Sequence, residues 1–524
     1  MYTNRLNFTY MLAICLLGFA CTADFEDINT DSKRPVATTP DLLLPGIIKS
    51  TASAWGARGG EEGLVVTQHA GEIQSTNDDT YRWNPNPQPY TDGYNTLRDV
   101  YNLIDVSQDT EGFSSYYGIG LVLKCWNYQF ITDAYGDIPY LEAVQGKTAG
   151  NFFPAFTPQK EIYQGMIDDL VLANQVLARE GISISGDILY AGDLMKWRKF
   201  ANSLRLRLLM RISDADPGAA QAGIREIVAD PETFPVFESN DDMAALQHDI
   251  ENPPSRYTTR VGSFDSYRLS RTLEQRLKAM NDPRLKVFAQ PISASGKNIY
   301  SEHWDDYAGI QNGLSADESE SYSPTDDPSK SGSNFISRLG ILYACQECNT
   351  LSSPVAAQTV IMTYSEVAFL IAEAIQREIL PSGNAEEHYQ KGIRASFDYY
   401  ADRTAVGGWD NITNALMSLD MESYLSQENV GFSGNPTANL QKIYLQKWIS
   451  QFYTGMEAWS QWRRTNQPEV IPGPDAANDQ KVPVRFLYPN EIKATNSRNY
   501  ESAVLNMGGD YLTTRLWWDI ADNQ

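Results

Sequence analysis

Two stretches of this chain crowd aromatic rings and hydrogen-bonding side chains together. Gln74, Asn77, Asp79, Tyr81, Trp83 and Asn84 fall within eleven residues, and Trp304, Asp305, Asp306, Tyr307, Gln311 and Asn312 within nine. An aromatic ring offers an apolar face to the C–H side of a sugar, and amides and carboxylates bridge adjacent hydroxyls. Such groups act from loops held by a rigid scaffold. The candidate ligand-binding residues are therefore Gln74, Asn77, Asp79, Tyr81, Trp83, Trp304, Tyr307, Gln311 and Asn312, with Trp55, near Gly56 and Gly59-Gly60, as a further candidate. The competing reading for each ring is burial beneath its own loop.

Other chemistries find little support. Adjacent acid pairs recur at 78–79, 168–169, 241–242, 305–306 and 326–327. A pair is thus no sign of glycoside hydrolysis, which needs two acids facing each other across a cleft. No G-x-S-x-G, H-E-x-x-H or P-loop string occurs. The expectation is a protein with no catalytic residues. The four His, at 69, 248, 303 and 388, have no metal-ligand spacing. No cofactor is expected, although an acidic loop could hold a structural calcium. Cys345 and Cys348 form one C-x-x-C pair without a second pair to complete a zinc site, and read as a loop disulfide or free thiols. Lys plus Arg total 42 against 66 Asp plus Glu, a net charge of -24. That balance excludes a phosphate-backbone partner, so no nucleic acid is expected, and it excludes electrostatic docking on anionic lipid.

The N-terminus suggests another route to a membrane. Arg5 precedes an apolar run from Phe8 to Leu17, too short to span a bilayer and suited to a signal peptide over 1–20. Leu17-Gly18-Phe19-Ala20-Cys21 resembles the lipobox of bacterial lipoproteins, with Gly18 where Leu is usual. Cys21 would then become the acylated N-terminus, palmitate included, and 21–40 a polar tether. The acidic run Asp24 to Asp27 resembles the surface-display signal of Bacteroidota lipoproteins. A chain this acidic would be held at the membrane by lipid.

The body, 41–524, reads as one mainly α domain. Apolar stripes at helical spacing run Ile119–Phe130, Tyr163–Leu177, Trp197–Ile212, Tyr364–Ile375, Ala385–Phe397 and Leu440–Met456. Thr157-Pro158 reads as an N-cap followed by a first-turn proline. Two of the stripes are joined by Leu380-Pro381-Ser382-Gly383-Asn384, giving helix pairs of tetratricopeptide length, about four in all. Long polar loops are expected at 72–96, 290–335 and 472–485. Arg205, Arg207, Arg211 and Arg463-Arg464 read as ion-paired to the surplus carboxylates. Tyr135-Gly136-Asp137-Ile138-Pro139-Tyr140 reads as a helix stop, with Gly136 left-handed.

Several of these strings are similar, in order, to those of the SusD/RagB family. They are Asp24 to Asp31, Asp133 to Tyr140, Trp197 to Arg207, Asn281 to Leu285, Glu373-Ala374, Gln446 to Trp448, Glu457 to Trp459, Arg463-Arg464 and Arg485 to Pro489. The YGDIPY string is the most specific of them. The resemblance implies a SusD-like fold of tetratricopeptide-like helix pairs carrying a loop-rich ligand-binding half. It implies a lipid-anchored lid facing outward from the outer membrane. The lid would capture an oligosaccharide, or in some relatives a peptide, and pass it unaltered to a SusC-like TonB-dependent barrel. The rivals are a helical scaffold or peptide-binding lid with no glycan ligand, and a helical secreted glycosidase.

Overall fold

The computed structural model describes residues 39–73, 75–179, 184–249, 266–297, 299–322, 335–343 and 353–521. The signal peptide, Cys21, nearly all of the tether, Gln74 and the Cys345–Cys348 pair lie outside the described residues. The fold is mainly helical. Its principal helices are α1 (Pro40–Gly59), α2 (Gln88–Ser107), α3 (Ser114–Tyr135), α4 (Gln159–Leu177), α5 (Leu194–Arg211), α6 (Pro217–Ala229), α7 (Arg271–Ala279), α8 (Tyr364–Gln376), α9 (Ala385–Val406), α10 (Pro436–Ser450), α11 (Glu457–Thr465) and α12 (Ser497–Met507). Successive helices pack together from α2 through α6, and α8 packs on α9 as the breaker-rich turn between them requires. Strands are short. β1 (Ala70–Glu72) pairs antiparallel with β3 (Tyr267–Leu269), and β2 (Ala244–Gln247) with β4 (Gln358–Met362). Among the described residues no helix is long and apolar enough to cross a membrane.

Two buried clusters share the interior. One gathers α1 to α6 with Phe486, Tyr488 and Trp518 from the C-terminal segment. The other gathers α7, α9 and α10. Between them runs a chain of buried ions. Arg207 donates two bonds of 2.7 Å to Glu366 and a third, of 3.0 Å, to the Ile361 carbonyl. Arg211 bonds both Asp133 and Glu457, and Arg464 grips Glu373 with two bonds of 2.7 Å. Arg205, with Glu226, joins Arg207, Arg211 and Arg464 as ion-paired, as read. The Arg463 guanidinium also donates to the Asp133 and Val484 carbonyls and lies 3.8 Å from the Trp459 ring centroid.

Three local expectations are corrected. Helix α2 starts at Gln88, so the first long loop ends there instead of at 96. Pro89 sits in the first turn, where its missing N–H costs nothing. Helix α1, which the sequence reading does not anticipate, runs through Pro45 and buries Leu44, Ile47, Ile48, Ala52 and Trp55. The apolar run 440–456 breaks at Ser450, because Tyr453 and Gly455 take φ of 63° and 66°. A Cβ on Gly59 would lie 2.4 Å from the Gly455 Cα, so the turn and the end of α1 meet backbone to backbone. Thr157 does not cap α4. The Asp137 carboxylate does, accepting from the Gln159 N–H at 2.8 Å.

Candidate functional site

The YGDIPY segment is architectural, as read, and it also positions a loop. Gly136 ends α3 at φ 93°, ψ -122°, a positive φ outside the left-handed helical basin. Tyr135 is fully buried, and its hydroxyl donates to the Asn86 carbonyl at 2.6 Å. Asn86 in turn donates to Glu62 at 2.9 Å, and Arg58 holds Glu62 at 2.7 Å. The far end of the first loop is thereby fastened to both α1 and α3.

The near end is fastened by three loops meeting. Asn312 donates from its amide to the Asp79 carboxylate and to the Ala70 carbonyl, each at 2.8 Å, and accepts from the Ser270 hydroxyl at 2.5 Å. Asn312 thus joins loop 73–87, segment 299–314 and the β1–β3 ladder. The third loop closes on the same point. Ala477 N–H donates to Thr80 at 2.8 Å, Asp475 N–H to Gly313 at 3.0 Å, and Ser315 N–H to the Asp475 side chain at 3.0 Å. Gly71 is required here, since a Cβ would lie 2.7 Å from Ile310 and 3.2 Å from the Asp79 carboxylate.

This junction buries acid. Glu72 accepts the N–H groups of Asp78 and Asp79 at 3.2 Å. Burial, and then the charges of Asp78 and Asp79, push its carboxyl up to about 9. Asp78 rises to about 7 through burial and then the Glu62 charge, and Asp79 to about 6 through burial. The folded protein therefore holds protons that the unfolded chain releases above its ordinary carboxylate range. The stability these protonated groups give is fully present below about pH 4 and is lost as pH rises through 6, 7 and 9. Thermal unfolding is expected to show a midpoint that falls from about pH 5 to pH 9, and Glu72→Gln is expected to flatten that fall. An unaltered slope in the variant would remove Glu72 from this role.

The sequence-selected residues divide into anchors and surface groups. Tyr81, Trp83 and Tyr307 are 3%, 7% and 0% exposed, so none presents a free face for stacking. The Trp83 ring stacks on Phe486, with centroids 4.9 Å apart, and its N–H donates to the Asp78 carbonyl at 3.2 Å. The Tyr307 hydroxyl is held within its own loop by Ser301. Asp79 and Asn312 are buried as the loop junction. Trp55 is core: its ring packs against Trp126, and its N–H donates to Val360 at 3.1 Å. Asn77 remains exposed, and Gln311 and Trp304 are half-buried. Trp304 shares a corner with Tyr300 and Lys286, whose ammonium lies 5.1 Å and 5.2 Å from the two ring centroids. Arg82, which the sequence reading does not single out, and Asn84, which it names with this segment, are both exposed, alternating with buried Tyr81 and Trp83. That alternation was legible once the aromatic positions were taken as anchors.

The side chains these loops leave exposed or half-exposed include the amides of Asn77, Asn84 and Gln311, the Arg82 guanidinium and part of the Trp304 ring. Among the described residues no group of three or more His, Cys, Asp or Glu side chains is arranged to hold a metal ion.

Fold and loop arrangement together define a helical body presenting a polar loop face. The profile of a SusD-like family, described as starch-binding and associating with the outer membrane, matches residues 32–489, and the chain belongs to that family. Similar solved structures include a SusD homologue from Bacteroides fragilis, at 22% identity and a TM-score of 0.78, covering 92% of this chain and 100% of that one. A chitin-binding protein is 26% identical over 92% of this chain and all of its own, with a TM-score of 0.73. A chitin-binding SusD homologue from Flavobacterium johnsoniae is 23% identical over 91% of this chain and 98% of its own, also at 0.73. None of the curated proteins compared matches this chain.

Proposed function

We propose that this protein is a non-catalytic glycan-binding lipoprotein of the outer membrane, anchored through Cys21, that captures oligosaccharide and passes it to a SusC-like TonB-dependent barrel. The observation that carries the reading is the loop junction at Asn312. It fixes three loops to one another while leaving Asn77 and Arg82 exposed and Gln311 half-exposed. A face of fixed polar groups binds without first ordering its own loops. The relatives named as chitin-binding support a polysaccharide as the ligand class. The lipobox-like Leu17 to Cys21 string and the acidic residues after it support the anchor and its outward display.

The test is migration of the purified protein in native gels that contain soluble starch or glycol chitin, each beside a blank gel. Retardation by at least one polysaccharide, with no release of reducing sugar, is the expected result. Unchanged mobility across a broad polysaccharide panel, with stable co-purification of a barrel, would overturn the glycan reading in favour of a scaffold.

A further inference from the structure

A cavity of about 480 Å³ opens between the α4–α5 connection, the turn at Asn240–Asp242, the β2–β4 pair and the C-terminal half of α9. Its volume falls in the range of small-molecule sites. It shares no residue with the three loops described above.

The cavity has built walls. The Tyr190 hydroxyl donates to the Asp242 carbonyl at 3.0 Å, and the Asn240 amide donates to the Ala395 carbonyl at 2.9 Å, tying the turn to α5's lead-in and to α9. A relay of side chains crosses its floor. Gln247 accepts from Gln358 at 3.1 Å and from Arg403 at 3.0 Å, and Arg403 donates to Asp402 at 2.9 Å. The Asn240 side-chain amide oxygen is buried and has no hydrogen-bond partner among the described residues. A buried acceptor left alone is costly, and a donor brought by a ligand would satisfy it.

The charges narrow the ligand. Lys196 and Arg403 are interleaved with Asp241, Asp398 and Asp402. A cation meets the first pair and an anion meets the other three, so neither is favoured throughout. A neutral molecule dense in hydroxyls can donate to the Asn240 oxygen and to Asp241 and Asp398, accept from Lys196, and lie against the half-buried Tyr399. Burial raises the Asp398 carboxyl above its ordinary value, in keeping with a partly desolvated rim.

We infer that this cavity is a second saccharide site, taking a neutral unit of one or two rings, on the helical side of the protein. Two sites on one chain would hold a long polysaccharide by linked contacts, raising retention beyond either site alone.

The test uses ligand-observed NMR with maltose, cellobiose and N,N′-diacetylchitobiose. It begins with the Arg82→Ala/Trp304→Ala protein, in which the loop face is disabled. One disaccharide is expected still to bind. Adding Asp241→Ala and Asp398→Ala, both at exposed positions, is expected to weaken that binding at least tenfold without moving the thermal midpoint. Asn240→Ala is the second variant, expected to act in the same direction. The inference is overturned if the loop-disabled protein binds none of the three while the unaltered protein binds one, a result that leaves the loop reading intact. It is also overturned if the cavity variants bind as before, or if putrescine or citrate binds in preference to every sugar.

Discussion

Glu457→Gln is expected to destabilise the protein by about 3–5 kcal/mol, the cost of breaking a buried ion pair from one side. The Glu457 carboxylate bonds Arg211 and lies 3.7 Å from Arg207, with its side chain 3% exposed. Burial alone would raise it, but Arg211, then Arg207 and Lys447, hold it near 2. Glu373 is held near 2 in the same way, chiefly by Arg464. Both are depressed below an ordinary 4.5, so the stability they give is present above about pH 4.5 and lost as pH falls through about 2. Urea unfolding at neutral pH checks the substitution. Glu422→Gln, at the exposed Arg394 pair, is the control and should leave the midpoint in place. A loss below about 1 kcal/mol for Glu457→Gln would mean that the arginines find other partners.

The second large effect separates the two tryptophans. Trp304→Ala is expected to lower oligosaccharide affinity at least about tenfold, or ~1.4 kcal/mol, with an unchanged thermal midpoint. Its ring is half-buried and reaches the surface beside Tyr300. Trp83→Ala is expected instead to cost about 3–5 kcal/mol of stability, because its ring fills the space between Phe486 and Trp459. From sequence both rings carry the same two readings, ligand contact or burial beneath the loop, and the structure separates them. Calorimetric titration of the retained oligosaccharide and thermal unfolding of both variants check this. Unchanged affinity in Trp304→Ala would take that corner out of the site.

Much of the scaffold was legible because helical period survives burial. Ile119 to Phe130 and Tyr364 to Ile375 announce their helices through apolar spacing alone. The ion pairs of Arg207 and Arg211 were foreseeable from charge excess beside a leucine stripe. The loop face was only half legible. Aromatic and amide residues marked the right loops, but composition does not say which side of an extended segment faces inward. Trp83 and Arg82 are neighbours, and a ring beside a cation looks like a ligand pair until Phe486 is known to cover the ring. Nor could sequence show that Asn312 reaches Asp79 across more than two hundred residues, since register between distant loops is settled by packing. The Asn240 cavity gave no signal, because its walls come from four separate stretches with no shared motif.

The junction that joins Thr80 to Ala477 and Asp79 to Asn312 has a consequence for biogenesis. Contacts this far apart in sequence close late in folding. The junction needs Asp475 and Ala477 as well as Asp79 and Asn312, so it can close only when most of the chain has been made. Chains that end before Ala477 would keep most of the helical body yet lack the bond that closes the third loop on Thr80.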